Sequence, residues 1–220
     1  FLARSRAAGA MTPEHVLASE TGSPAVKVLL VDHEDSFVHT LANYLKQTGA
    51  EVVTQRAGFD VALLDQLKPN LVVLSPGPGS PSDFEVPRYI AACMARQLPI
   101  FGVCLGLQGM IEHFGGKLNI LGEPVHGKPG LVSVQRPSYL FEGLPDTLVA
   151  ARYHSLHADP ATFPAAAFRV TATTPDACVM AIEHTSYPMA AVQFHPESLL
   201  TDHATGMQIL RNAIRRLVAA

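Results

Sequence analysis

The sequence predicts an α/β fold on a mostly parallel sheet, with antiparallel strands added in its second half. Two observations carry this. In the first half, short strand candidates at residues 26–31, 51–55, 71–74 and 100–103 alternate with helical spacing, the rhythm of parallel strands joined by right-handed crossovers. In the second half, strand candidates at 132–134, 148–153, 168–173, 179–183 and 189–194 follow one another with only turns between them. That suits antiparallel neighbours. With 220 residues, 48% hydrophobic and 16% charged, the chain can bury a sizeable core and is not disordered throughout.

Each element has a local reason. Residues 1–25, rich in Ala, Ser, Gly and Pro and beginning at Phe1 rather than Met, read as a linker or the tail of a preceding domain, with one domain over 26–220. The run VKVLLV has the unbroken apolar character of a strand buried on both faces. The acidic turn of Asp32, Glu34 and Asp35 stops it, in a helix-capping role, and Asp35-Ser36 opens a helix with Phe37, Leu41, Tyr44 and Leu45 on one face. Gly49 stands where a C-terminal helix glycine belongs. Leu63, Leu64 and Leu67 mark a short helix ended near Pro69. LVVL (71–74) runs into the loop SPGPGSP (75–81); helices follow at 84–96 and 105–114, and a last one at 201–217 carries Met207, Leu210, Ile214 and Leu217 on one stripe.

Composition excludes several classes. A net charge of −3 and a pI near 6.4 argue against a nucleic-acid binder with a broad basic face. No apolar run reaches the roughly 18 residues of a membrane span. The first ten residues lack the apolar stretch of a secretory signal. The three cysteines, Cys93, Cys104 and Cys178, are too few and scattered for a disulfide framework and suit a cytoplasmic protein. Ten histidines are scattered without H-E-x-x-H or paired C-x-x-C spacing, so no metal site is expected, the pair in His154-Ser155-Leu156-His157 included.

The sharpest chemical signal is Gly102-Val103-Cys104-Leu105-Gly106. A strand ends, one residue turns, and a helix starts: the thiol counterpart of the G-x-S-x-G nucleophile elbow. Small residues are needed two before and two after the nucleophile because the turn is tight. The helix N-terminus favours the thiolate. The alternative is a buried Cys between two glycines that pack helix against strand. A thiol nucleophile needs a base and a group that orients it. His195-Pro196-Glu197 follows an apolar strand that would deliver the imidazole to the same sheet edge, with Glu197 fixing its tautomer; the plainer reading is a capped turn. The Pro/Gly loop after strand LVVL could supply an oxyanion donor, with the N–H of Leu105 as the second, or be an ordinary turn. It lacks the Gly-Lys-Ser/Thr of a phosphate loop. Gln108, one turn beyond Cys104, could face the same pocket.

Together SPGPGSP, FGVCLGLQ, YHSL and VQFHPES, in that order, resemble the class I, triad-type glutamine amidotransferases over about residues 26–217. The start, LLVDHEDSFVHTLANYLKQTG, looks most like the amidotransferase component of anthranilate synthase, and the aminodeoxychorismate component shares much of it. The wording DHEDSFVHTLA looks like the single-chain fused anthranilate synthases. The resemblance implies a flavodoxin-like, three-layer αβα open twisted sheet. It makes Cys104 the nucleophile, His195 the general base and acid, and Glu197 the orienting carboxylate. Gly77, Pro78 and Gly79 would line the L-glutamine site, Gly79 and Leu105 lie near the oxyanion, and Gln108, Ser155 and Leu156 contact glutamine. His126, Gly127 and Lys128 match a segment near the partner interface. The implied partner is a chorismate-binding synthase domain, fused upstream; magnesium is expected only there, and no cofactor here. Other readings are the aminodeoxychorismate pathway, a catalytically silent subunit on this fold, and a stand-alone thiol hydrolase.

Overall fold

The computed structural model describes residues 25–220; the linker expected at 1–25 lies, but for Ala25, outside them. The described strands are β1 (Lys27–Asp32), β2 (Glu51–Arg56), β3 (Leu71–Leu74), β4 (Ile100–Val103), β5 (Leu118–Val134), β6 (Thr147–Ala158), β7 (Phe168–Thr173), β8 (Val179–His184) and β9 (Met189–Val192). The helices are α1 (Val38–Gln47), α2 (Leu63–Leu67), α3 (Val86–Ala95), α4 (Leu105–His113) and α5 (His203–Val218).

The strands form one sheet in the order β2-β1-β3-β4-β9-β8-β7-β5-β6. The first five are parallel, in the 2-1-3-4-5 order of the flavodoxin-like sheet. The other neighbours are antiparallel. Period-2 alternation explains the unbroken apolar runs. Val28 and Leu30 of β1, and Phe101 and Val103 of β4, join a core with α1 and α5 on one face. Leu29, Val31 and Ile100 join a second core with α2, α3 and α4 on the other. Both faces of the parallel half are thus covered, giving the expected three layers.

Two expectations are corrected. The strand at 189–194 was expected among the antiparallel additions, yet β9 runs parallel to β4 and is antiparallel only to β8. All four of its residues are buried, which is why it lies inside the sheet rather than at its rim. The strand at 132–134 is the end of the 17-residue β5. Its pairing with β6 is interrupted between Ile120 and Val125 and between His126 and Lys128. Most of residues 119–130 are exposed or half-buried, so no apolar alternation marks them.

Smaller details follow the same logic. Gly49 has φ +93°, the left-handed geometry expected after α1. Asp32 and Asp35 accept the N–H groups of Glu34 and Phe37 through their carboxylates, each at 2.7 Å, and so close the turn before α1. Phe37 precedes the helix and is half-buried, while Val38 and Ala42 join Leu41, Tyr44 and Leu45 on the core face. The helix expected at 84–96 begins as a separate 3-10 turn, Pro81–Phe84, and breaks at Glu85, φ +52°, before α3.

One long-range contact shapes the functional end. β6 lies four places from β9 in the sheet, yet the His195 N–H, just past β9, donates to the Ala151 carbonyl of β6 at 3.0 Å. The antiparallel half therefore curls back over the carboxyl end of the parallel half.

Candidate active site

Cys104 alone makes the turn between β4 and α4, with φ +54° and ψ −97°. Side chains are strained there, by about 1–3 kcal/mol. Its N–H donates to Val192 O (2.8 Å) and its carbonyl accepts from Gln108 N–H (3.1 Å), which ties the elbow to β9 and α4. The flanking glycines are sterically required. A Cβ on Gly102 would come within 2.8 Å of the Gly106 carbonyl carbon, and one on Gly106 within 2.7 Å of Leu74 O. The thiol itself is nearly buried.

His195 and Glu197 are both buried, with Nδ1 and Oε1 2.9 Å apart. A carboxylate only accepts, so Nδ1 carries the hydrogen. Nε2 is buried without a hydrogen-bond partner among the described residues and is the nitrogen free to exchange a proton. Burial by itself pushes the imidazole pKa down, but the Glu197 carboxylate and the Cys104 side chain outweigh it and hold it well above the usual 6.5. The ring packs between Phe37 and Tyr153, at centroid distances of 5.1 and 5.0 Å. Its carbonyl accepts from the Thr201 hydroxyl (2.7 Å), which in turn accepts the Ala151 N–H of β6 (2.9 Å).

A cavity of about 390 Å³ opens above the sulfur. Of the expected substrate residues, Gly77, Pro78, Gly79, Gln108, Ser155 and Leu156 all line it with Cys104. Leu105 does not; it is buried, and its side chain fills the space a Gly77 Cβ would need, 2.5 Å away. As the first residue of α4, its N–H has no partner within the helix. Gly79 has φ +70°, and Asp83 fixes its loop by accepting the Ser80 N–H at 2.7 Å. The segment expected near a partner divides. His126 lines the cavity against the Tyr153 ring, Gly127 takes φ +66° at the strand irregularity, and Lys128 is exposed.

Two further histidines near the site are buried. Burial lowers His33 to about 4, and its Nδ1 lies 3.0 Å from Ser75 O under the Gly77 loop. Burial likewise lowers His154 to about 4; its Nδ1 meets Leu156 O at 2.9 Å and its Nε2 accepts Arg152 Nε–H at 3.2 Å. Sequence reasoning missed Gln193, Tyr153, Phe37 and Thr201. Gln193 had a signal: it precedes His195 by two at the end of the strand predicted for 189–194, and alternate residues of a strand share a side.

A strained thiol elbow facing a cavity, with a buried imidazole–carboxylate pair beside the thiol, is an arrangement that can support thiol-dependent acyl transfer. The sequence matches the family "Glutamine amidotransferase class-I" over residues 29–217, and the chain belongs to that family. It is 55% identical over 203 residues to an anthranilate synthase of Azospirillum brasilense, covering 92% of this chain and 28% of that protein. It thus spans little more than a quarter of that relative's length. It is 39% identical over 188 residues to the aminodeoxychorismate/anthranilate synthase component 2 of Bacillus subtilis, covering 85% of this chain and 95% of that one. A glutamine amidotransferase from Thermotoga maritima superimposes with a TM-score of 0.71 at 16% identity, over 90% of this chain and all of that one. That likeness speaks to the fold.

Proposed function

We propose that the chain is the glutaminase part of an anthranilate synthase. Cys104, His195 and Glu197 act on L-glutamine, and the ammonia passes to a chorismate-using synthase domain or subunit in the cytoplasm. The carrying observation is the thiol at a strained elbow beside the 2.9 Å His195–Glu197 pair, at the floor of a cavity. The Cys104 thiolate attacks the glutamine side-chain carbonyl carbon. The oxyanion faces the Gly79 loop and the Leu105 N–H. His195 then protonates the departing nitrogen, which leaves as ammonia, and a γ-glutamyl thioester remains. Water, losing a proton to His195, cleaves the thioester to glutamate and restores the thiol. The sum is glutamine plus water to glutamate plus ammonia. His126 and Lys128, on the arm formed by β5, stand where the synthase would contact the cavity mouth. No step draws on a metal, and magnesium belongs to the partner's chemistry. The 55% identity to an anthranilate synthase favours that product over aminodeoxychorismate.

A glutamine-analogue electrophile tests the site: peptide mapping should find one adduct, on Cys104. With the synthase partner, Cys104→Ser should abolish glutamine-dependent product while synthesis from added ammonia survives. Undiminished glutamine hydrolysis in Cys104→Ser refutes the assignment.

A further inference from the structure

We propose that Gln193 is a positioning residue for the nucleophile: its side-chain N–H holds the Cys104 sulfur and stabilises the thiolate. This rests on the reading of Cys104 as nucleophile. Gln193 is fully buried just beyond β9, where its backbone N–H donates to Met180 O of β8 at 2.8 Å. Its Nε2 lies 3.4 Å from Cys104 Sγ.

The direction of that carboxamide is fixed by a chain of contacts starting from a group that cannot flip. The Leu156 carbonyl accepts from Gln108 Nε2 at 3.2 Å, so Gln108 turns its NH₂ toward it. The same NH₂ lies 3.3 Å from Gln193 Oε1, which must therefore be the oxygen. Nε2 is left facing the sulfur. Flipping Gln193 would set two NH₂ groups against each other and a carbonyl oxygen against the sulfur, losing both bonds. The anchor is held as well. His154 Nε2 accepts from Arg152 Nε, a donor only, so its Nδ1 carries a hydrogen and donates to Leu156 O.

The chemistry needs such a donor. A nearly buried thiolate loses most of its water and must find replacement donors. The N-terminus of α4 supplies partial positive charge from one side, and Gln193 supplies a direct N–H from β9's side. A donor to an ionised acceptor is stronger than one to a neutral group. The ionisable groups around the sulfur are His195 with Glu197 behind it, and, across the cavity, Tyr153, His154 and His126. Gln193 carries no charge, so its replacement leaves these in place.

The test is the pH dependence of Cys104 alkylation by iodoacetamide in the full chain, followed by peptide mapping. Gln193→Met keeps an unbranched side chain of similar volume without the donor. The midpoint should rise by about one pH unit, slowing alkylation about tenfold at any pH below it. A rise of less than about half a unit, or a fall, overturns the proposal. A second readout needs no Gln193 variant: the Gln193 side-chain amide resonance should move with the thiol titration in the wild-type chain and stay still in Cys104→Ala. A resonance that ignores the thiol overturns the proposal too. The two readings fail differently. If the glutamine-analogue electrophile leaves wild-type Cys104 unmodified, the nucleophile reading falls. If Cys104 is modified and the midpoint does not move, only the role of Gln193 falls.

Discussion

Replacing Thr201 by Val should loosen the closure between β6 and the segment that carries His195. Thr201 is buried, and its hydroxyl both accepts the Ala151 N–H (2.9 Å) and donates to the His195 carbonyl (2.7 Å). Valine has nearly the same shape, so packing is kept while both bonds go. The two losses are unequal. The His195 carbonyl still accepts the Ser198 N–H at 3.2 Å. The Ala151 N–H, on the outer edge of β6, is left unpaired, and a buried unsatisfied donor costs about 1–3 kcal/mol. The expected loss is therefore about 2 kcal/mol by urea denaturation. Thr201→Ser keeps the hydroxyl and removes one methyl, for about 1 kcal/mol. With the synthase partner, Val should also lower kcat for glutamine more than Ser does, because the His195 backbone loses its tether. If Val is within about 0.5 kcal/mol of wild type, or Ser is the less stable of the two, the hydroxyl bridge does not hold this seam.

Stability should be greatest near pH 6.5. Below it, down to about 4, His33 and His154 are neutral in the folded chain while the unfolded chain takes up protons; stability falls by about 3 kcal/mol for each, as urea curves across that range would show. Above it, His195 keeps its proton in the folded state longer than in the unfolded one, so its stabilisation is lost as pH rises through the raised pKa; Glu197→Gln should abolish that decline. Gly106→Ala should cost about 1–3 kcal/mol, since its Cβ would meet Leu74 O at 2.7 Å, whereas Gly122→Ala, with open space around it, should fall within about 0.5 kcal/mol of wild type. Glutamine turnover should rise when the synthase partner and chorismate are added; equal rates with and without them would refute coupling between the two sites.

What could be read in advance depended on how local the cause was. The elbow around Cys104 was legible because its glycine requirement falls within five residues: only glycine fits at 102 and 106, and the sequence shows both, although the clash at 106 is with Leu74 O of β3. The parallel half was legible because burial on two faces leaves unbroken apolar runs. The arm of β5 was not, because a strand with few buried residues leaves no apolar period to find. The parallel pairing of β9 with β4 was hidden for another reason: the partner is nearly ninety residues away, and nothing in MAAV says which neighbour it will choose. Thr201 looked like the start of a helix. In the structure the N-cap is Asp202, which accepts the Thr205 N–H at 2.9 Å. That leaves the Thr201 hydroxyl to bridge β6 and His195.

The same contrast explains why the site needs the whole sheet. Cys104 belongs to the parallel half, where it makes the turn from β4 into α4, its N–H is tied to β9 and Gly106 packs against β3. His195 leaves the adjacent strand, but its backbone is anchored to β6, the far edge of the antiparallel half. β6 also contributes Tyr153 against the imidazole ring and Leu156 O at the head of the contacts that orient Gln193. Cys104 is thus set within the parallel half, while His195 and Gln193 are set by an edge strand that must first curl back to reach them. A perturbation of the β5–β6 pair should therefore weaken the support of His195 and Gln193 while leaving the elbow intact. The cavity opens beside that same pair, with His126 on its wall and Lys128 exposed beyond it. A partner that pressed on this arm would act on His195 and Gln193 together, and not on the strained turn that holds the thiol.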